Sequence, residues 1–166
     1  MSDGSILNKV AASPLITFNL EDFLPKKVHV MDLSQWLEQG FILRETEFRN
    51  ALNNADFTLF EGAVIHLNCS TDAILPAWAP LLVASKLSDA GLTCIWAESE
   101  ESFYSAYYRE RMVQHNWKEY IGKPVIIKGC GDKRIPKDAY VIATQYLKPT
   151  AKKISYGEAC SAVPLK

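Results

Sequence analysis

Cys69, Cys130 and Cys160 are the residues of this sequence whose type and placement suit joint chemistry. The first two close apolar runs, residues 63–69 (AVIHLNC) and 124–130 (PVIIKGC), and the third lies in 157–161 (GEACS), just past the last apolar run. If these runs are parallel strands, the three thiols share one edge of a sheet. Ligands collect at that carboxyl edge, and the positive ends of neighbouring helices stabilise thiolates there. Three thiolates and one further N or O donor make a zinc or iron site. Asp72 and Glu158 are the candidate further ligands, and Glu158, two residues from Cys160, is the better placed. An open fourth position would allow Lewis-acid chemistry or sulfur transfer, and a closed one would make the metal structural. The spacings of 61 and 30 residues are not those of a compact zinc knuckle, so the site depends wholly on the fold. Two other readings stay open. One thiol could act as a nucleophile or sulfur carrier without metal, or all three could simply pack, as free cysteines usually do.

Other chemistry-bearing residues fit structural roles. Cys94 lies inside an apolar run, and His66 also sits among apolar neighbours, so both read as core. Asp72 and Asp132 also suit turn or helix caps. Lys128, Lys133 and Arg134 flank Cys130, where they could depress its pKa or bind an anion, or merely be solvated. Phe103, Tyr104, Tyr107 and Tyr108 recur at helical spacing and read as core packing. No phosphate-binding glycine loop, GxSxG or HExxH is present, and the spacing of His29, His66 and His115 does not point to a Cys–His pair.

The elements that must position the thiols repeat. Compared with itself at an offset of 60, the chain matches Phe48 with Tyr108, Phe57 with Trp117, Phe60 with Tyr120 and Gly62 with Gly122. An offset of 61 across the next run sets Cys69 against Cys130. Dropping one residue restores 60, with Asp72 on Asp132, Pro76 on Pro136, Leu87 on Leu147, Trp96 on Tyr156 and Glu98 on Glu158. Each copy reads as helix, aromatic turn, strand, proline-started helix, strand. Helices are expected over 44–54, 76–90, 100–115 and 136–147, with Gly91 and Pro149 as stops and Ser99 as an N-cap. Connections of this length favour parallel strands with right-handed crossovers. The expected fold is α/β: a single domain with one mixed, largely parallel sheet, built on a tandem repeat of about 60 residues. Residues 1–40 form an N-terminal extension with short strands at 15–18 and 28–31 and a short helix at 33–37 ending near Gly40. Residues 41–98 and 99–158 are the two repeats, and 159–166 a cysteine-containing tail.

Composition bounds the partners. The 166 residues are 48% hydrophobic and 22% charged, enough for a sizeable core. A net charge of -1 gives no field to attract nucleic acid. The polar opening is not a signal peptide, and no apolar run reaches the length of a membrane helix, so the expected location is the cytoplasm, without membrane association. Thiols stay reduced there, so free or metal-bound cysteines are expected rather than disulfides.

Residues 69–79 (CSTDAILPAWA), 128–130 (KGC) and 157–164 (GEACSAVP) resemble a bacterial family catalogued as domain of unknown function 2480. The likeness runs from about Leu7 to the C-terminus, including 8–10 (NKV) and 15–17 (LIT). The family brings no established activity. Its members' proximity to iron–sulfur cluster assembly components implies such proteins as partners. The expectation is therefore a cytosolic protein binding zinc or iron through Cys69, Cys130 and Cys160, with Glu158, Asp72 or water completing the shell. A metal-free thiol enzyme and a non-catalytic scaffold are the alternatives.

Overall fold

Runs of β-branched and apolar residues form short strands, and the last residues of the first two, Asn19 and Asp32, cap the turns that follow them. The computed structural model describes residues 15–129, 131–158 and 161–166. In chain order it contains β1 (Ile16–Asn19), β2 (Val28–Asp32), α1 (Glu45–Asn54), β3 (Val64–Asn68), α2 (Trp78–Asp89) and β4 (Thr93–Trp96). There follow α3 (Glu100–Gln114), β5 (Pro124–Lys128), α4 (Lys137–Thr150), β6 (Lys153–Tyr156) and β7 (Val163–Pro164). The α/β class and the largely parallel pairing are as expected, but there are two sheets rather than one. One runs β2-β3-β4, all parallel. The other runs β1-β5-β6-β7, parallel except for β7.

The chain divides into two compact units: Pro25–Tyr107, the central unit in sequence, and a terminal unit of residues 15–24 with the described part of Tyr108–Lys166. In the central unit, Phe48 and Leu52 of α1 and Ala79, Val83 and Leu87 of α2 are buried with Ile65 and Leu67 of β3. His66 is buried in this unit, stacked on Phe103 and bonded through Nε2 to the Ala97 carbonyl at 2.9 Å. Cys94 packs against the same core. Both residues are core, as read, and so are Phe103, Tyr104, Tyr107 and Tyr108. In the terminal unit the buried set includes Phe18, Leu20, Tyr108, Met112, Val125, Ile127, Ala139, Ala143, Leu147 and Ile154.

The strand ladders correct the expected alignment. Val64 pairs with Thr93 and Leu67 with Trp96, while Pro124 pairs with Lys153 and Ile127 with Tyr156. The second ladder carries the numbers of the first plus 60 throughout, and β3 and β5 share one burial pattern. At that offset Cys69 stands against Gly129, not against Cys130.

Three local boundaries also differ. Gly40 does not end a helix; with Gln39 it turns a tight hairpin closed by the Glu38–Ile42 bridge. Pro149 does not stop α4, which runs to Thr150, because a proline near a helix end forfeits only one hydrogen bond of the last turn. Beyond the bond that Thr150 itself lends Gly122, Lys166 Nζ donates to the carbonyls of Lys148 (2.6 Å) and Ala151 (2.8 Å), satisfying acceptors at and just past that end. Finally, Val163–Pro164 forms a strand where only a tail was expected.

Candidate functional site

Both sheets end on polar residues at their carboxyl edges, but the two edges are built differently. In the central unit, Asp32 ends β2 and ties the neighbouring loops together. Its Oδ1 accepts from the Ser34 amide at 2.9 Å and the Ser70 amide at 3.1 Å, and its Oδ2 accepts from the Ser70 hydroxyl. Burial pushes the Asp32 carboxyl up, but the donors from Ser70 and Ser34 together outweigh it and hold the pKa below the usual aspartate value. Thr71 Oγ1 donates to the Gly40 carbonyl at 2.6 Å and lies 3.5 Å from Cys69 Sγ. These bonds tie the edge together, although Asn68 Oδ1 at the end of β3 is buried with no hydrogen-bond partner among the described residues, and a pocket of about 400 Å³ lined by Phe41, Asp72 and Pro76 among others lies beside it.

The terminal unit's edge holds a cavity. Its volume is about 490 Å³, within the range of small-molecule sites. Ile127 of β5 and Tyr156 of β6 line it from the sheet; Lys137, Tyr140 and Thr144 line it from α4; Asp132, Ile135 and Leu165 complete it. Residues 137, 140 and 144 share one helical face, because three and seven steps return to the same side of a helix. Tyr140 is fixed by donating its hydroxyl to the Gly129 carbonyl at 2.6 Å, and it meets Tyr156 edge-to-face at 5.7 Å. Asp132 is committed to Arg134, accepting from the Arg134 amide at 2.9 Å, from Nε at 3.0 Å and from Nη2 at 2.6 Å. The Arg134 side chain and then its amide pull the Asp132 carboxyl down to about 2. At the ends of β5 and β6, Lys128 Nζ and Glu158 Oε1 form a 3.1 Å ion pair.

These placements overturn the metal-binding reading. Among the described residues no group of three or more His, Cys, Asp or Glu side chains could hold a metal ion. The expected shared edge does not exist as one edge: Cys69 follows β3 in one sheet, whereas Glu158 follows β6 in the other. Cys69 is half-buried beside Thr71, Asp72 is exposed, and Glu158 is engaged by Lys128. Cys130 and Cys160 lie outside the described residues. Of the basic residues flanking Cys130, Lys128 and Arg134 answer carboxylates, and Asp132 caps its own turn as its alternative reading had it.

No sequence motif marks the lining residues as one site. A signal was present: lysine, tyrosine and threonine on one face of a helix opening at a strand's carboxyl end, with Tyr156 ending the next strand. Parallel strands, crossover helices and a walled cavity at the carboxyl edge define an α/β protein with a built ligand-sized site. The chain belongs to a family described as a protein of unknown function (DUF2480), whose model matches residues 4–166. No curated protein and no solved structure matches it. No helix among the described residues is long and apolar enough to cross a membrane.

Proposed function

We propose that this protein binds a small molecule in the terminal unit's cavity, and that its two units are copies of one duplicated α/β unit. The cavity carries the functional reading. It combines an apolar floor of Ile127, Ile135 and Leu165 with hydroxyl, ammonium and carboxylate groups on convergent elements, the usual composition of a ligand site.

The shared 60-residue register supports the duplication, and so do buried positions that recur at that spacing: Phe48 and Tyr108, Leu52 and Met112, Ala79 and Ala139, Val83 and Ala143, Leu87 and Leu147. The N-terminal strands extend it at an offset of 13. Asn19 and Asp32 each cap the 3-10 turn that follows their strand, and Leu20 and Leu33 come next, both fully buried. Under this reading the terminal copy gained β7 and the cavity lined by Lys137, Tyr140 and Tyr156.

Neutral benzamide is a suitable first probe. In an amide-resolved NMR titration, its shifts should concentrate on Ile135, Tyr140, Thr144 and Tyr156, and Thr144→Trp, which fills the cavity, should abolish them. Shifts scattered over the surface, or unchanged in Thr144→Trp, would refute the cavity as a binding site.

A further inference from the structure

The charges around the cavity do not cancel, and the remainder names a ligand class. Among the described residues, two charged side chains line it, Asp132 and Lys137. Asp132 is neutralised by Arg134, whose guanidinium reaches both carboxylate oxygens. The nearby Lys128 and Glu158 neutralise each other. Lys137 is different. Among the described residues it forms no ion pair, and its neighbour Asp138 is turned to Arg109 at 3.6 Å. The described walls thus carry one uncompensated positive charge, that of Lys137. It stands in the first turn of α4, a fourteen-residue helix whose N-cap is Pro136 and which has no side-chain cap. The positive end of that helix adds to the lysine's field.

The rest of the wall is aromatic and aliphatic. Tyr140 and Tyr156 present rings at right angles, and Ile127, Ile135 and Leu165 present methyl groups. From this arrangement we infer that the site takes a monoanionic ligand with an aromatic or aliphatic body, an organic carboxylate, whose charge meets Lys137 and whose body lies against the two tyrosines. The inference rests on the cavity being a binding site and adds the sign of the ligand's charge. A cation is disfavoured by Lys137. A dianion such as a phosphate monoester would exceed the single countercharge.

Benzoate and benzamide share shape and differ in charge, so their comparison separates the two ideas. Benzoate should bind the full-length protein about three- to fivefold more tightly than benzamide, the range of one partly exposed ion pair. Lys137→Met should bring the benzoate-to-benzamide affinity ratio down to about one, and Lys137→Arg should restore it. Equal affinity for the two probes in the unaltered protein, or a preference that survives in Lys137→Met, overturns the inference and leaves the cavity reading standing. Absence of localised shifts with either probe overturns both.

Discussion

His115 sits inside a ring of aromatic side chains, with Phe18, Phe23 and Trp117 centroids at 5.5, 5.1 and 4.9 Å. Its Nε2 meets the Tyr120 hydroxyl at 3.1 Å and the Glu119 carboxylate at 3.4 Å. Burial lowers its pKa; Glu119 offsets part of that, and Arg111 adds to the lowering. The same surroundings push the Tyr120 hydroxyl up to about 12, chiefly by burial and then by Glu119, so the phenol stays protonated at any working pH. The sign of the histidine's effect follows from linkage. Above the unfolded pKa of about 6.5, histidine is neutral in both states and adds no pH dependence. As pH falls below that value the unfolded chain takes up a proton first, and the native state loses ground until its own lower pKa is reached. The melting temperature should therefore decline as pH falls below about 6.5, and His115→Phe should flatten that decline. Melts followed by circular dichroism across this range test it, and an equally steep decline in the variant would refute the assignment.

At the scale of elements, the path of β5 into its loop depends on Gly129. Its φ of +139° lies where side chains are strained, and a Cβ there would stand 2.8 Å from Leu20 Cβ and 3.2 Å from Ile135 Cδ1. Leu20 is fully buried and cannot retreat. Gly122, also at positive φ, has nothing within 4 Å of the same added atom. Gly122→Ala should cost only backbone strain, about 1 kcal/mol, whereas Gly129→Ala adds overpacking and should cost about 3 kcal/mol or more. Urea unfolding midpoints at constant slope would show the order, and equal losses would mean that the Leu20 contact is relieved elsewhere.

The two glycines also show what was legible in the sequence. Strand and helix cores announced themselves through periodicity, so nearly every element was found. A glycine's φ and a one-residue shift leave no trace in hydrophobic pattern. The match of Cys69 with Cys130 therefore drew the alignment to 61, whereas the two hydrogen-bond ladders share a register at 60. β7 escaped for a related reason: Val163 and Pro164 are exposed, and only their pairing with Tyr156 and Ser155 makes them a strand.

Across the whole molecule, the α/β class was legible because apolar strands alternate with helices, while the division into two sheets was not. Separate sheets arise because β1 pairs with β5, more than a hundred residues later, and β2 with β3, a choice that local pattern does not encode. The site was missed for the same cause: a cavity is defined by what non-local elements leave open. The proposed duplication makes one demand that neither unit makes alone. Tyr108, fully buried, donates its hydroxyl to the Leu20 carbonyl at 2.8 Å. Its counterpart at the 60-residue offset is Phe48, fully buried as well, and the counterpart of Leu20 at the 13-residue offset is Leu33. If the copies share one frame, a hydroxyl added to Phe48 finds the Leu33 carbonyl waiting. Phe48→Tyr should then be nearly neutral, within about 0.5 kcal/mol, although a hydroxyl placed blindly in a core without a partner costs about 1–3 kcal/mol. Tyr108→Phe should lose about 1 kcal/mol, the ordinary value of the bond it removes. Chemical denaturation of the two variants decides the matter. A Phe48→Tyr loss as large as an unpartnered buried hydroxyl would mean that the units resemble each other in element order but not in the placement of individual groups.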